Sequence, residues 1–269
     1  MFLPVLTIMN KRFKYFISSL VSALGFFIFV SLPYESRYFG LMVGIVLVVF
    51  CFWFGLGIIF EKSFYTRIMA VLLPTSFFVG FGLFTAFLPY SVGLTVILSV
   101  FYGIILYMIF LVENVFLVAI GFKTVPLYRA AYTVSLIILL LSSFFMFDSL
   151  FSFRLGYWWN GGWTLIIAAV IFLYQFWAIA IDLPDDGSSK QMKAYIVVPS
   201  VLMAELAIVL SFWPTGIFKG SVYLVSVIYI FSGLIQAEIR NRLFRRTWLM
   251  YVWTGVAVVT ATMIITKWR

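Results

Sequence analysis

Apolar stretches of about twenty residues follow one another along this chain, with short polar connections between them. A helix needs roughly 20 consecutive apolar residues to cross the hydrocarbon core of a bilayer. The pattern therefore predicts an all-α, polytopic integral membrane protein with about nine transmembrane helices in one domain over residues 1–269. The apolar run of the fourth span continues past Glu113 to Phe122. The predicted spans are residues 15–32, 39–60, 68–88, 91–112, 130–150, 163–182, 195–213, 221–238 and 248–266.

Basic residues alternate in density between successive connections, which predicts an orientation. Connections that stay in the cytoplasm are enriched in Lys and Arg. A cytoplasmic N-terminus places these residues inside: Lys11, Arg12, Lys14, Lys62, Arg67, Lys123, Arg129, Lys190, Lys193, Arg240, Arg242, Arg245 and Arg246. It leaves these outside: Arg37, Arg154, Lys219, Lys267 and Arg269. We therefore expect a protein of the cell (plasma) membrane with a cytoplasmic N-terminus and an external C-terminus.

The composition supports lipid as the solvent and excludes several kinds of site. Hydrophobic residues make up 65% of the chain and charged residues only 10%, against roughly 25% charged in soluble domains. The chain has no histidine and a single cysteine, Cys51, which excludes intrachain disulfides, histidine-based zinc sites and His-containing triads. No cofactor is expected. The net charge of +9 follows from the cytoplasmic connections, so we expect membrane lipids and no nucleic acid as partners.

Self-comparison of the sequence indicates an internal repeat. A shift of 125 residues aligns Pro74 with Pro199, each followed by a hydroxyl residue, and also aligns Pro89 with Pro214. A slightly larger shift aligns a Ser-Val pair and a Phe-x-Gly triplet of the fourth and eighth spans. Four spans preserve orientation, so the halves would be parallel repeats, as found in some transporters. The predicted repeats are residues 13–122 and 129–240, followed by helix 248–266.

Glu205 is the candidate intramembrane functional acid, because it lies in the middle of the seventh predicted span. A charge at this depth costs about 2.5–3.5 kcal/mol on insertion scales. We therefore expect Glu205 to face the interior of the helix bundle near the eighth span. It would serve a proton- or cation-coupled site, or bond as a neutral acid to a hydroxyl such as Ser226 or Tyr223. Pro74 and Pro199 are candidate helix breaks, since proline removes a backbone hydrogen bond.

Two polar segments on the predicted cytoplasmic side each allow two interpretations. Asp182, Asp185 and Asp186, with Lys190 and Lys193 after them, could hold Mg²⁺ against a diphosphate, or form an ordinary polar turn. A cluster of four arginines could contact anionic lipid headgroups at about 1 kcal/mol per charge, or serve only to set topology. The four are Arg240, Arg242, Arg245 and Arg246.

Two further groups of residues predict packing and not chemistry. Glu113 and Glu238 occupy matching positions at the cytoplasmic ends of the fourth and eighth spans, where snorkelling or pairing with basic connections is the ordinary role. Small residues permit close helix approach, within the bundle or between subunits of a homo- or hetero-oligomer. These small residues are Gly40, Gly44, Gly80 and Gly82.

Three functions agree with this sequence. The repeat, the two intrahelical prolines and Glu205 favour a transporter or channel for a small or lipid-like solute. The scarcity of polar residues favours a non-catalytic assembly or scaffold subunit. A membrane enzyme acting on lipid-linked substrates is disfavoured by the missing histidine and by the lack of a second acidic cluster. A transporter should have a polar cavity at the midplane of the membrane, an enzyme a cluster of acids at one face, and a scaffold subunit neither.

Overall fold

A computed structural model describes residues 11–57, 63–89, 91–121, 126–181, 189–214, 216–240 and 242–266. Over these residues the protein consists of nine long α-helices and one short 3₁₀ turn, Tyr34–Ser36, with no strand. All nine are long and apolar enough to cross a membrane, which confirms the predicted all-α fold and the number of candidate spans among the described residues. The helices are α1 (Lys11–Ser31), α2 (Arg37–Leu56), α3 (Phe64–Ala86), α4 (Val92–Gly121), α5 (Tyr128–Ser152), α6 (Tyr157–Ala180), α7 (Ser189–Phe212), α8 (Ile217–Ile239) and α9 (Arg245–Ile265).

Several helices extend beyond the predicted spans, because polar and aromatic residues next to the apolar runs are also helical. α4 extends to Gly121, as the continuing apolar run indicated. α6 begins six residues before the predicted span because its first turn includes Trp158, Trp159 and Asn160. Local capping marks other ends: the Ser63 hydroxyl accepts a hydrogen bond from the Thr66 amide at 3.3 Å, which satisfies one free amide of the first turn of α3.

The chain divides into two compact units, residues 1–138 (unit 1) and 139–269 (unit 2). The boundary falls inside α5, between Ile138 and Leu139, well after the start of that helix at Tyr128. It therefore lies near the predicted junction between the two repeats but not at it, because a single continuous helix contributes residues to both units.

Unit 1 is organised around an aromatic cluster on the facing sides of α1, α3 and α4. The Phe26 ring stacks on Tyr102 with centroids 4.5 Å apart and on Phe81 at 5.2 Å, and Phe77 stacks on Tyr102 at 5.7 Å. All four side chains are almost completely buried. Lipid tails are as apolar as these side chains, so van der Waals packing between rings holds the helices together.

Glycine lets α2 approach this cluster closely. A Cβ atom at Gly44 would collide with the ring of Phe78. A Cβ atom at Gly82 on α3 would lie 3.2 Å from Cε1 of Phe29, tighter than an ordinary carbon–carbon contact. The predicted small-residue packing is therefore confirmed at Gly44 and Gly82, within unit 1.

Polar contacts join neighbouring helices at each of the two ends of unit 1. At one end, Arg37 donates from Nε to the Leu32 carbonyl at 3.2 Å and from Nη1 to the Ala86 carbonyl at 3.1 Å, next to the last turns of α1 and α3. At the other end, the Tyr15 hydroxyl donates to Asn114 Oδ1 at 2.9 Å, joining the first turn of α1 to α4. The ends of α1 and α3 thus lie together at the start of α2, and the start of α1 lies beside the later part of α4. Successive helices of unit 1 therefore run in alternating directions.

Unit 2 contains an especially close helix pair, α6 and α7. A Cβ atom at Gly161 of α6 would lie 2.7 Å from Cγ1 of Ile208 and 3.4 Å from the carbonyl oxygen of Ala204. Ala168 of α6 and Ala207 of α7 are completely buried. Small side chains on both helices thus bring the two backbones together. α8 packs on α6, α7 and α9.

Candidate functional site

A cavity of about 430 Å³ opens at one end of unit 2, where α5 and α7 end and α6 and α8 begin. Its volume lies within the range of small-molecule sites, roughly 300–1,000 Å³. Three polar side chains, those of Arg154, Asn160 and Ser211, contribute to its lining. The apolar lining comes from Phe151, Leu155, Tyr157, Leu210, Trp213 and Ile217. We refer to it as the unit 2 cavity.

Asn160, in the first turn of α6, forms a buried polar part of the unit 2 cavity. Its side chain is 5% exposed, and Nδ2 donates to the Leu155 carbonyl at 3.3 Å and to the Ser211 hydroxyl at 3.0 Å. The Leu155 carbonyl can only accept, so the amide must point its nitrogen there. Oδ1 is left without a hydrogen-bond partner among the described residues. A buried acceptor in this state costs about 1–3 kcal/mol.

Thr164 lies one turn further along the same face of α6. Its side chain is completely buried, and within the described part of the chain Oγ1 has no hydrogen-bond partner. Thr75 and Thr133 show the usual alternative, in which the hydroxyl donates to the carbonyl four residues earlier, at 2.7 and 3.0 Å. Asn160 and Thr164 together give α6 two unpaired oxygens on neighbouring turns of its buried face.

Arg154 supplies the only charge among the described residues that line the unit 2 cavity. Its side chain is exposed, and its backbone φ of 52° lies in the left-handed region, which non-glycine residues rarely adopt. The Arg154 amide donates to the Phe151 carbonyl at 3.1 Å, which closes the end of α5. Asp148, the nearby acid of α5, lies close to Ser221 of α8 and is not among the described residues that line the cavity.

The expectation that Glu205 faces the bundle interior is wrong. Glu205 is exposed, and so are Val201, Leu202 and Val209 on the same face of α7. The reason lies in the close pairing of α6 and α7, which uses the opposite face of α7 and its buried Ala207. Because Glu205 lies on the face of α7 opposite Ala207, its side chain is directed away from α6.

Pro74 and Pro199 do not break their helices, contrary to the expectation that they are helix breaks. Both are buried and lie inside continuous helices, α3 and α7. Thr75 Oγ1 donates to the carbonyl three residues before Pro74 at 2.7 Å, and Ser200 Oγ donates to the carbonyl three residues before Pro199 at 2.6 Å. The hydroxyl after each proline thus binds a carbonyl in the turn that the proline ring disturbs.

Glu113 is also placed differently from the expectation of a snorkelling helix end. The acid is completely buried, because α4 continues for eight further residues to Gly121. Glu238, its counterpart near the end of α8, is exposed. The two acids therefore have different surroundings despite their matching positions.

The two polar segments that the sequence predicts on the cytoplasmic side lie apart from the unit 2 cavity along the chain. Between α8 and α9, Arg240 is half-buried, while Arg242, Arg245 and Arg246 are exposed. Lys193 is exposed in the first turns of α7. The aspartate cluster falls outside the described residues; its members are Asp182, Asp185 and Asp186.

Asn160 and Thr164 were not singled out by the sequence pattern, although a signal is present. Two polar residues four positions apart, at the start of an otherwise apolar span, share one helix face. Gly161, directly after Asn160, is a small residue of the kind that permits a neighbouring helix to pack closely. No protein-family model, curated protein or solved structure matches this chain.

Proposed function

We propose that the chain is a transporter or channel for a small or lipid-like solute, and that it lies in the plasma membrane. In this proposal the N-terminus is cytoplasmic and the C-terminus is external, so the unit 2 cavity opens to the outside. The observation that carries the proposal is the cavity of about 430 Å³ itself, whose apolar lining is interrupted by the polar residues Arg154, Asn160 and Ser211. Sites for small solutes combine apolar walls with a few such polar groups.

The buried face of α6 supports passage beyond the unit 2 cavity. Thr164 places a second unpaired oxygen one turn deeper than Asn160. Gln175, further along α6, is 99% buried. Polar groups inside a membrane bundle are costly and characteristically mark substrate paths. A scaffold subunit would not require buried polar groups along one face of a single helix.

We also propose that α1–α4 and α5–α8 arose by tandem duplication, with α9 following. Support comes from the two intrahelical prolines, Pro74 and Pro199, each followed by a hydroxyl residue that bonds the carbonyl at the same relative position. Corresponding helices also begin at similar offsets, since α3 and α7 start at Phe64 and Ser189 and α4 and α8 start at Val92 and Ile217. An even repeat of four helices keeps the two halves parallel.

Reconstituted vesicles test the transport proposal. Stopped-flow light scattering would follow entry of neutral and charged small solutes, and dithionite quenching of fluorescent lipids would follow lipid movement between leaflets. We expect the wild-type protein to accelerate at least one process over protein-free vesicles, and Gly156→Val, which narrows the cavity, to slow it. Gly162→Val is the matched control, because an added Cβ meets no atom within 4 Å at either glycine. Wild-type vesicles that match protein-free vesicles in both assays would refute transport.

The scaffold function remains the second candidate because of one observation, the exposure of Glu205 on an apolar face of α7. Contact with a partner helix would remove this acid from lipid and provide it with a hydrogen-bond donor. In that case, Glu205→Leu should abolish a stable complex in mild detergent while leaving the isolated chain folded. A complex that survives the substitution would count against this second function.

A further inference from the structure

We propose that the outer face of α7 is an interface between two copies of this chain, with Glu205 of one copy opposite Glu205 of the other. The outer face is the row of exposed side chains that points away from α6. Its members are Val198, Leu202, Glu205, Val209 and Phe212. The inference rests on the second candidate function, for which it names the partner helix, and it is independent of transport.

Glu205 indicates that lipid alone does not cover the outer face of α7. The acid lies about 10 Å along the helix axis from the end of α7 at Phe212, at 1.5 Å per residue, and it is exposed. No hydrogen bond or ion pair joins it to another described residue. Acids at this depth are costly in lipid and characteristically pair with a polar group. The other members of the outer face are apolar, so Glu205 is the residue that requires a partner.

The chemistry of the chain points to the same acid of a second copy as that partner. Every Lys and Arg among the described residues lies near a helix end or between helices, so a second copy offers no cation at the depth of Glu205. Partly or fully exposed hydroxyls within helices each donate to the carbonyl four residues earlier and can only accept from another group. They are Ser226, Thr254 and Thr260. A carboxylic acid has both a donor and an acceptor, so two Glu205 side chains complete each other's hydrogen bonds.

The geometry of the outer face suits a parallel pair of α7 helices. Its members are separated by four, three, four and three positions, as in the a/d pattern of a coiled coil. Any exposed row on a straight helix has this spacing, so the acid and not the spacing distinguishes the face from a lipid-facing one. Two copies inserted in the same orientation are related by a two-fold axis along the membrane normal, which makes their α7 helices parallel. Each member then faces its own counterpart, and one polar residue in an apolar row fixes the register.

Cysteine cross-linking in membranes tests the interface, because the chain has a single cysteine, Cys51, which Cys51→Ala removes. In this background, Val198→Cys places a thiol on the outer face of α7, and Val197→Cys places one beside it. The two valines are the matched pair, since they are 56% and 57% exposed. A disulfide requires Cα atoms within about 7 Å, which facing positions of the proposed pair satisfy and position 197 does not. We expect copper phenanthroline and oxygen to link Val198→Cys into dimers and to leave Val197→Cys monomeric.

Substitutions of Glu205 separate the acid from the apolar members of the outer face. In the Val198→Cys protein, Glu205→Leu should weaken the dimer on the order of tenfold, measured as the dilution in lipid at which half of the chains cross-link. Glu205→Gln keeps a donor and an acceptor and should retain the dimer. Co-expression of two differently tagged copies identifies both halves of the product as this chain.

Equal cross-linking of Val197→Cys and Val198→Cys would overturn the inference, and so would undiminished cross-linking in Glu205→Leu. A link from Val198→Cys to a different protein would overturn it and favour the second candidate function with another partner. No link at all would also overturn it, while the complex in detergent tests the second candidate function separately.

Discussion

Replacing Arg154 with glycine should make the protein more stable, although it removes the only charge on the described lining of the unit 2 cavity. The φ of 52° at Arg154 costs a residue with a Cβ roughly 1–2 kcal/mol. Glycine loses about 0.5–1 kcal/mol of this gain through the greater freedom of the unfolded chain. The guanidinium is exposed, so its own contribution to folding is small. The expected net effect is a stabilisation of about 0.5–1 kcal/mol.

Thermal and denaturant unfolding of the purified chain in detergent measures this difference. Arg154→Ala is the informative comparison, because it removes the same charge but keeps the Cβ that strains the backbone. We expect Arg154→Ala to unfold at the wild-type midpoint and Arg154→Gly to unfold at a higher one. A similar drop in both variants would mean that the arginine side chain holds the end of α5 in place, and would refute the reasoning from backbone strain.

Four other changes probe separate parts of the structure. Arg37→Met removes two bonds from a half-buried cation to the Leu32 and Ala86 carbonyls and should lower the unfolding free energy in detergent by about 1–3 kcal/mol, whereas Glu35→Gln in the same turn should not. Thr164→Val should raise the unfolding free energy by about 1 kcal/mol, because Oγ1 is unpaired among the described residues. The same substitution should slow transport in vesicles. Glu205→Leu should favour insertion of an isolated α7 segment into microsomes by about 2.5–3.5 kcal/mol; an unchanged inserted fraction would contradict the depth assigned to Glu205. Reporter fusions after Arg246 should be cytoplasmic and fusions after Arg269 external, and the same location for both would remove α9 from the spans.

The helices could be predicted from the sequence because each apolar run is long enough to span a bilayer. In lipid, a single segment can satisfy its own backbone hydrogen-bonding groups only as a helix. The same reasoning anticipated that α4 continues past Glu113, since the apolar run does not stop there. The starts of α6 and α7 were placed too late, because aromatic and polar residues at a membrane interface remain helical without adding to the apolar run.

The direction that a side chain faces could not be predicted in the same way. Every face of α7 is largely apolar, so its pattern does not distinguish the packed face from the exposed one. The packed face is set by small residues: Gly161 of α6 lies against Ala204 and Ile208 of α7, and Ala168 and Ala207 are completely buried. This pairing turns Glu205 outward and buries Asn160 beside Ser211. The site therefore depends on an interhelical fit that neither helix shows alone.

The close pairing of α6 and α7 also limits how the unit 2 cavity can change shape. With Gly161 against Ile208 and Ala204, sliding or separating these two helices would open an empty seam along small side chains that cannot fill it. We therefore expect α6 and α7 to move as one rigid hairpin. Widening or closing of the cavity then falls to the other two walls, the end of α5 and the first turns of α8, where Gly216 and Gly220 line the opening.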